Sequence, residues 1–145
     1  MKKIFGITVI VLLGGFLLIQ LIPYGHQHTN PAVQQEPNWQ DTQTRDLVSR
    51  ACFDCHSNET KWPWYSNIAP VSWLGQRDVQ EGRQHLNFSD WNQRHYEVDE
   101  VSEVVHSGQM PPFYYVMMHP KAKLTDAEKQ SLIDGILSAS RATTP

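Results

Sequence analysis

No segment of this 145-residue chain alternates apolar and polar residues with a strand's period over any length, which excludes a sheet-built fold and leaves an all-α one. There is no basic stripe. Without Lys2 and Lys3, ten of the twelve basic residues remain against fifteen acidic ones, which excludes nucleic acid as an expected partner. No internal repeat and no low-complexity tract occurs. The apolar N-terminus is not followed by an Ala-x-Ala cleavage site, and no cysteine lies near it for a lipoprotein-type lipid anchor. Cysteine itself is scarce: the chain has two, at positions 52 and 55.

What is present begins with those two. Cys52-Phe53-Asp54-Cys55-His56 is a C-x-x-C-H run, the attachment signature of c-type haem. Two intervening residues on a helical turn put both sulfurs on one side of the backbone, where they can add across the two vinyl groups as thioethers. His56 is then placed to bind iron through Nε2 as the proximal ligand. Two other readings compete. A thioredoxin-like dithiol wants a βαβ context, and nothing strand-rich surrounds Cys52. A structural zinc site wants two further ligands, and His85, His95, His106 and His119 form no H-x3-5-H pair. Covalent haem is the expectation.

Met1-Lys2-Lys3 precedes a nearly unbroken apolar run from Ile4 to Ile22, with Gln20 near its end. Nineteen helical residues span roughly 28 Å, close to the hydrocarbon core of a bilayer. The run is longer than the apolar core of a signal peptide, so an uncleaved anchor over residues 1–22 is expected. Lys2 and Lys3 stay on the cytoplasmic side by the positive-inside rule, and the remainder is exported. Export agrees with covalent haem, which bacteria attach outside the cytoplasmic membrane.

Residues 23–38 are polar and carry Pro23, Pro31 and Pro37, and read as an extended, semi-flexible linker in which His26 and His28 are solvated. Residues 39–145 form the haem-binding domain, small enough that a covalent haem would supply much of its core. Four helices are expected. Asp41 to Cys55 carries Leu47, Val48 and Ala51 into the motif. Pro70 to Gln84 carries Val71, Leu74 and Val79. Val98 to Ser107 carries Val101, Val104 and Val105 and is stopped by Gly108. Thr125 to Ser138 opens on a capping box, Thr125 to Glu128, with Leu132, Ile133, Ile136 and Leu137 inward. The stretches 57–69 and 109–123 read as loops rich in proline and aromatics.

Met110-Pro111-Pro112 is the second informative motif. A methionine between Gly108 and two prolines sits in a stiffened, non-helical loop, as a thioether aimed at a metal requires. Met110 is therefore the expected distal iron ligand, in the His/Met arrangement that raises the reduction potential. Met117, Met118 and His119 are competitors, and His119 would give a lower-potential bis-His site. His106 is expected to cap its helix, and His85 and His95 to lie at the surface or behind a ligand.

The run from Cys52 to Pro70, together with Gly108-Gln109-Met110-Pro111-Pro112-Phe113-Tyr114-Tyr115, resembles the bacterial haem-binding domain family of small monohaem c-type proteins, over roughly residues 39–140. The resemblance implies a cytochrome c-like all-α fold wrapped around one covalent haem. It supports Cys52, Cys55 and His56, while Met110 is similar to the Met-Pro-Pro loops of class I cytochromes c. Pro70 resembles the proline whose carbonyl receives the proximal histidine's second N–H in those proteins. Trp62, Trp64, Tyr65 and Trp73 suit packing on the porphyrin or bonding a propionate, and Arg77 suits pairing with one.

The expected function is a membrane-anchored monohaem cytochrome c carrying single electrons on the outer, periplasmic face of the cytoplasmic membrane, with redox proteins of a respiratory or periplasmic chain as partners. A six-coordinate iron argues against catalysis by the domain itself. A haem sensor or peroxidase-like enzyme with a labile sixth ligand is the alternative, and a thiol-disulfide or metal-binding module a weaker one.

Overall fold

The computed structural model describes residues 1–92 and 98–143. Among the described residues there are seven α-helices and no strand. They are α1 (Lys2–Ile19), α2 (Thr42–Ala51), α3 (Phe53–His56), α4 (Val71–His85), α5 (Asp99–His106), α6 (Phe113–Met118) and α7 (Asp126–Thr143), with 3₁₀ turns at Trp64–Asn67 and Pro120–Ala122. An isolated parallel bridge pairs Gln35 with Asp90. The chain divides into two compact units, Met1–Thr29 with Trp62–Asp78, and Asn30–Lys61 with Val79–Pro145; the division falls within α4.

In the first unit, α1 is an apolar helix none of whose residues is buried, long enough to serve as a signal or an anchor. Just past its end, the Gln20 amide pairs with one backbone residue in both directions. Nε2 donates to the Ala69 carbonyl at 3.0 Å, and Oε1 accepts from the Ala69 N–H at 2.9 Å. Ala69 is fully buried, so these bonds satisfy groups that water cannot reach. His28, expected to be solvated, instead stacks on Trp62 with centroids 4.4 Å apart, and its ring nitrogen bonds the Ser66 carbonyl at 3.1 Å. An imidazole flat on an indole loses little hydration and gains contact area, which the sequence around it did not signal.

The second unit has the larger core. Leu47, Val48 and Ala51 of α2, Val105 of α5, and Leu132, Ile133 and Ile136 of α7 bury their side chains with Phe53, Phe88 and Trp91. Phe88 is the hub. Its ring lies 5.7 Å from both Phe53 and Trp39, and 5.9 Å from Trp91. Residues 30–38, expected to be linker, run extended but are tied down. The N–H groups of Gln34 and Gln35 donate to the Ser89 carbonyl, Asn30 donates to the Thr60 carbonyl, and Glu36 accepts from Arg45 and Trp39.

The helix ends follow local chemistry. Asp41 caps α2 by accepting the Thr44 N–H at 2.7 Å. Thr125 and Glu128 form the expected capping box ahead of α7, which runs on to Thr143 rather than stopping at Ser138. Gly108, at φ 75°, ends α5 in the left-handed conformation that an L side chain adopts only with strain. One expected helix is broken. The run from Asp41 to Cys55 divides at Cys52, whose φ of −126° lies outside the helical range, into α2 and the separate turn α3. A helix in the expected loop 109–123 is the other difference. Pro112 starts α6, and the bulky Phe-Tyr-Tyr-Val sequence behind it has low helix propensity, so its pattern did not announce it.

Truncating Phe88 to alanine removes the ring on which Trp39, Phe53 and Trp91 converge. Its ring is almost wholly buried, so the variant should lose about 3–5 kcal/mol of stability, read as a lower midpoint in urea unfolding. A midpoint unchanged from the parent would contradict the central place given to this ring.

Candidate functional site

The two residues between the cysteines have opposite fates. Phe53 is buried in the aromatic cluster, while Asp54 is only partly buried and makes polar contacts. The Asp54 Oδ1 accepts the Lys61 N–H at 3.0 Å, its carbonyl accepts the Thr60 hydroxyl at 2.8 Å, and its Oδ2 accepts the Tyr115 hydroxyl at 2.6 Å. The α3 turn is therefore held on both sides, and Cys52, Cys55 and His56 share it. No disulfide joins Cys52 and Cys55, and both residues are partly accessible. Burial of the sulfur pushes the Cys52 thiol up to about 12, with Cys55 adding to the effect.

His56 is fixed at two atoms by the turn that follows α4. Its Nδ1 bonds the Leu86 carbonyl at 3.0 Å, and its own carbonyl accepts the Phe88 N–H at 2.8 Å. A carbonyl at Nδ1 assigns the proton to that nitrogen and reserves Nε2 for a metal. The acceptor expected from the sequence was Pro70. The Pro70 carbonyl instead takes the N–H groups of Trp73 and Leu74 in the first turn of α4, so its hydrogen-bonding capacity is used there. Burial holds the His56 pKa below its ordinary value, against the raising effect of the Leu86 and Gly82 carbonyls, and favours the neutral ring that a metal ligand must be.

Close approach of α4 to α3 depends on Gly82. A Cβ there would lie 2.5 Å from the Cys55 carbonyl oxygen, a backbone atom that cannot swing away. One residue on, Arg83 donates Nε to the Ser57 carbonyl at 2.8 Å and its Nη2 to Asn30 and Thr60, each at 2.9 Å. Beyond it, Asn58, Asn87 and Ser89 bond one another in a buried network. The segment from His56 to Thr60 is thus positioned by polar contacts, whereas Phe53 positions its start by packing.

Met110 is partly exposed, at 39%. Its N–H donates to the Val104 carbonyl at 2.9 Å, so its backbone is pinned to the end of α5. The segment it opens returns to the cysteine turn through Tyr115 and Asp54. Phe113, Met117 and Met118 expose their side chains along α6, and His119 stacks on Tyr115 with centroids 4.2 Å apart. These features fit a haem. A histidine is oriented through Nδ1, two thiols share its turn, and an apolar thioether-rich segment lies open and tied to that turn.

Trp62, Trp64, Tyr65, Pro70, Trp73 and Arg77 belong to the first unit. Trp62 and Trp73 bury indole N–H groups that have no partner among the described residues. Trp64 is 75% exposed and meets Tyr65 edge-on at 5.8 Å. Arg77 pairs with Asp78 at 3.1 Å. His85 and His106 are exposed, and His95 lies outside the described residues. Sequence reasoning missed Leu86 because a backbone carbonyl has no residue signature. It also missed Gly82, Arg83 and Tyr115. For Tyr115 the available signal was the Pro-Pro start, which favours a first helical turn as much as a loop.

An all-helical domain built around a C-x-x-C-H turn defines a class of haem-carrying proteins. The family model of the haem-binding domain matches residues 14–138, and the chain belongs to that family. The match opens inside α1 and takes in the whole segment that the sequence suggested was linker, in keeping with the hydrogen bonds that tie that segment down. No curated protein and no solved structure matches the chain.

Replacing Gly82 with alanine should force α4 away from the cysteine turn. The expected result is a loss of about 1–3 kcal/mol in stability together with a lower yield of haem-loaded protein. Denaturant unfolding and the ratio of haem to protein absorbance would measure the two effects. An alanine variant that matched the parent in both would show that the approach at Gly82 is slack.

Proposed function

We propose that the chain is a membrane-anchored monohaem c-type cytochrome that carries single electrons on the outer face of the cytoplasmic membrane. Cys52 and Cys55 would hold the haem as thioethers, His56 would bind iron through Nε2, and Met110 would be the sixth ligand. When bound, haem supplies a one-electron iron couple, and the protein sets its potential and its access to partners. The observation that carries this reading is the His56–Leu86 bond on the turn that bears both thiols.

A dithiol oxidoreductase needs a thiol with a lowered pKa, and Cys52 is pushed the other way. Among the described residues, no three His, Cys, Asp or Glu side chains gather closely enough to hold a metal ion. A His/Met pair would fill both axial positions and favour a carrier over a catalyst. The mildly acidic exported part would suit a basic redox protein as partner.

Gln20 favours retention of α1. Cleavage after the apolar run would remove the amide that satisfies the buried N–H and carbonyl of Ala69. The mature protein should therefore keep its N-terminus and fractionate with membranes. Intact-mass measurement would reveal a chain shortened past Gln20 if retention is wrong.

The decisive experiment is an absorption spectrum of protein made with the c-type maturation machinery, oxidised and then reduced. Covalent haem, a low-spin spectrum and a methionine-to-iron charge-transfer band are expected. Met110→Ala should abolish the band while the haem stays attached; a band that survives would assign the sixth ligand elsewhere. Covalent haem without the band in the parent would favour a bis-His or open-site protein, and a haem-free product would defeat the proposal.

A further inference from the structure

Resting on the covalent-haem reading, we infer that Tyr115 is a positioning residue: its bond to Asp54 clamps the segment 110–118 to the haem-attachment turn and keeps the sixth position of the iron closed.

The bond joins residues 61 apart in sequence, and at 2.6 Å it has the length of a hydroxyl donating to a carboxylate. Its acceptor is not a free surface group. Asp54 sits between the two cysteines, and its other carboxylate oxygen is occupied by the Lys61 N–H. Its donor is equally constrained. The Tyr115 ring is part-buried, with His119 flat against it at 13°. Burial, then Asp54, raises the phenol's pKa far above its ordinary value, so it stays a protonated donor throughout the working pH range.

Three apolar side chains of α6 are open to solvent. Phe113, Met117 and Met118 are 75%, 73% and 57% exposed, and the helix is six residues long. A helix this short has little stability of its own. Tyr115 therefore ties it back to the attachment turn. Met110, five residues before Tyr115, has its backbone pinned at Val104. A loop fixed at Val104 and at Asp54 presents its thioether in few conformations. Without the second point it would open more often, and a competing ligand binds in proportion to the open fraction.

Imidazole is the probe. The full-length, haem-loaded ferric protein would be titrated with it in four forms: parent, Tyr115→Phe, Asp54→Asn and the double variant. Each single variant should bind imidazole about tenfold more tightly, and the double variant no more tightly than the singles, because both remove one shared bond. Melting temperatures measured alongside separate this from general loosening. Variants that melt lower yet bind imidazole like the parent overturn the clamp and leave a structural bond only. Tyr115→Phe decides alone if Asp54→Asn yields no haem-loaded protein, since it keeps the ring and its stacking. A parent without covalent haem overturns the clamp together with the functional reading, whereas a haem-loaded parent with unaltered Tyr115→Phe affinity overturns the clamp only.

Discussion

Phe53 fixes the cysteine turn, and most of the second unit is arranged around that fact. Its ring is 4% exposed and stacks on Phe88, so the residue between Cys52 and Asp54 is as immobile as any in the core. A four-residue turn has no independent stability. It holds its shape because one side chain is sunk in the aromatic cluster while its neighbours are held by polar partners. The two thiols and the imidazole thus share one turn that packing and hydrogen bonds hold in place. Phe88 does two jobs here: its ring packs on Phe53 and its N–H donates to the His56 carbonyl, so packing and hydrogen bonding act through one residue.

The polar side of the site follows a similar economy. Arg83 spans Ser57, Thr60 and Asn30, and Asn58, Asn87 and Ser89 close a buried network next to it. Buried polar groups are costly when unpaired and specific when paired. Each of these side chains finds a partner on the stretch that follows His56 or on the extended segment before α2. Residues 30–38 are consequently part of the domain's wall, and their prolines serve an extended docked backbone rather than a tether.

Much of this was legible in the sequence, for identifiable reasons. The helices α2, α4, α5 and α7 have apolar stripes, and the caps at Thr125 and Gly108 are residue types whose chemistry is local. The C-x-x-C-H turn was legible as a motif because its spacing is local. What escaped depends on contacts between residues distant in sequence. The Leu86 carbonyl, the Gly82 approach and the Tyr115–Asp54 bond have no local pattern. His28 looked like a solvated linker residue because its partner, Trp62, lies 34 positions away. The break at Cys52 escaped because the apolar periodicity of α2 runs through it and only the backbone angle changes.

The methionines of this chain are unevenly placed. Of four, three stand at positions 110, 117 and 118, and all three are open to solvent. A thioether in that setting is an easy target for peroxide, and the sulfoxide it becomes is polar, chiral and no longer a soft donor. Oxidative damage in the haem domain is thereby drawn to the segment that carries the proposed sixth ligand. Met117 and Met118, exposed on the same segment, are open to the same attack, and sulfoxide reduction there needs no unfolding of the core.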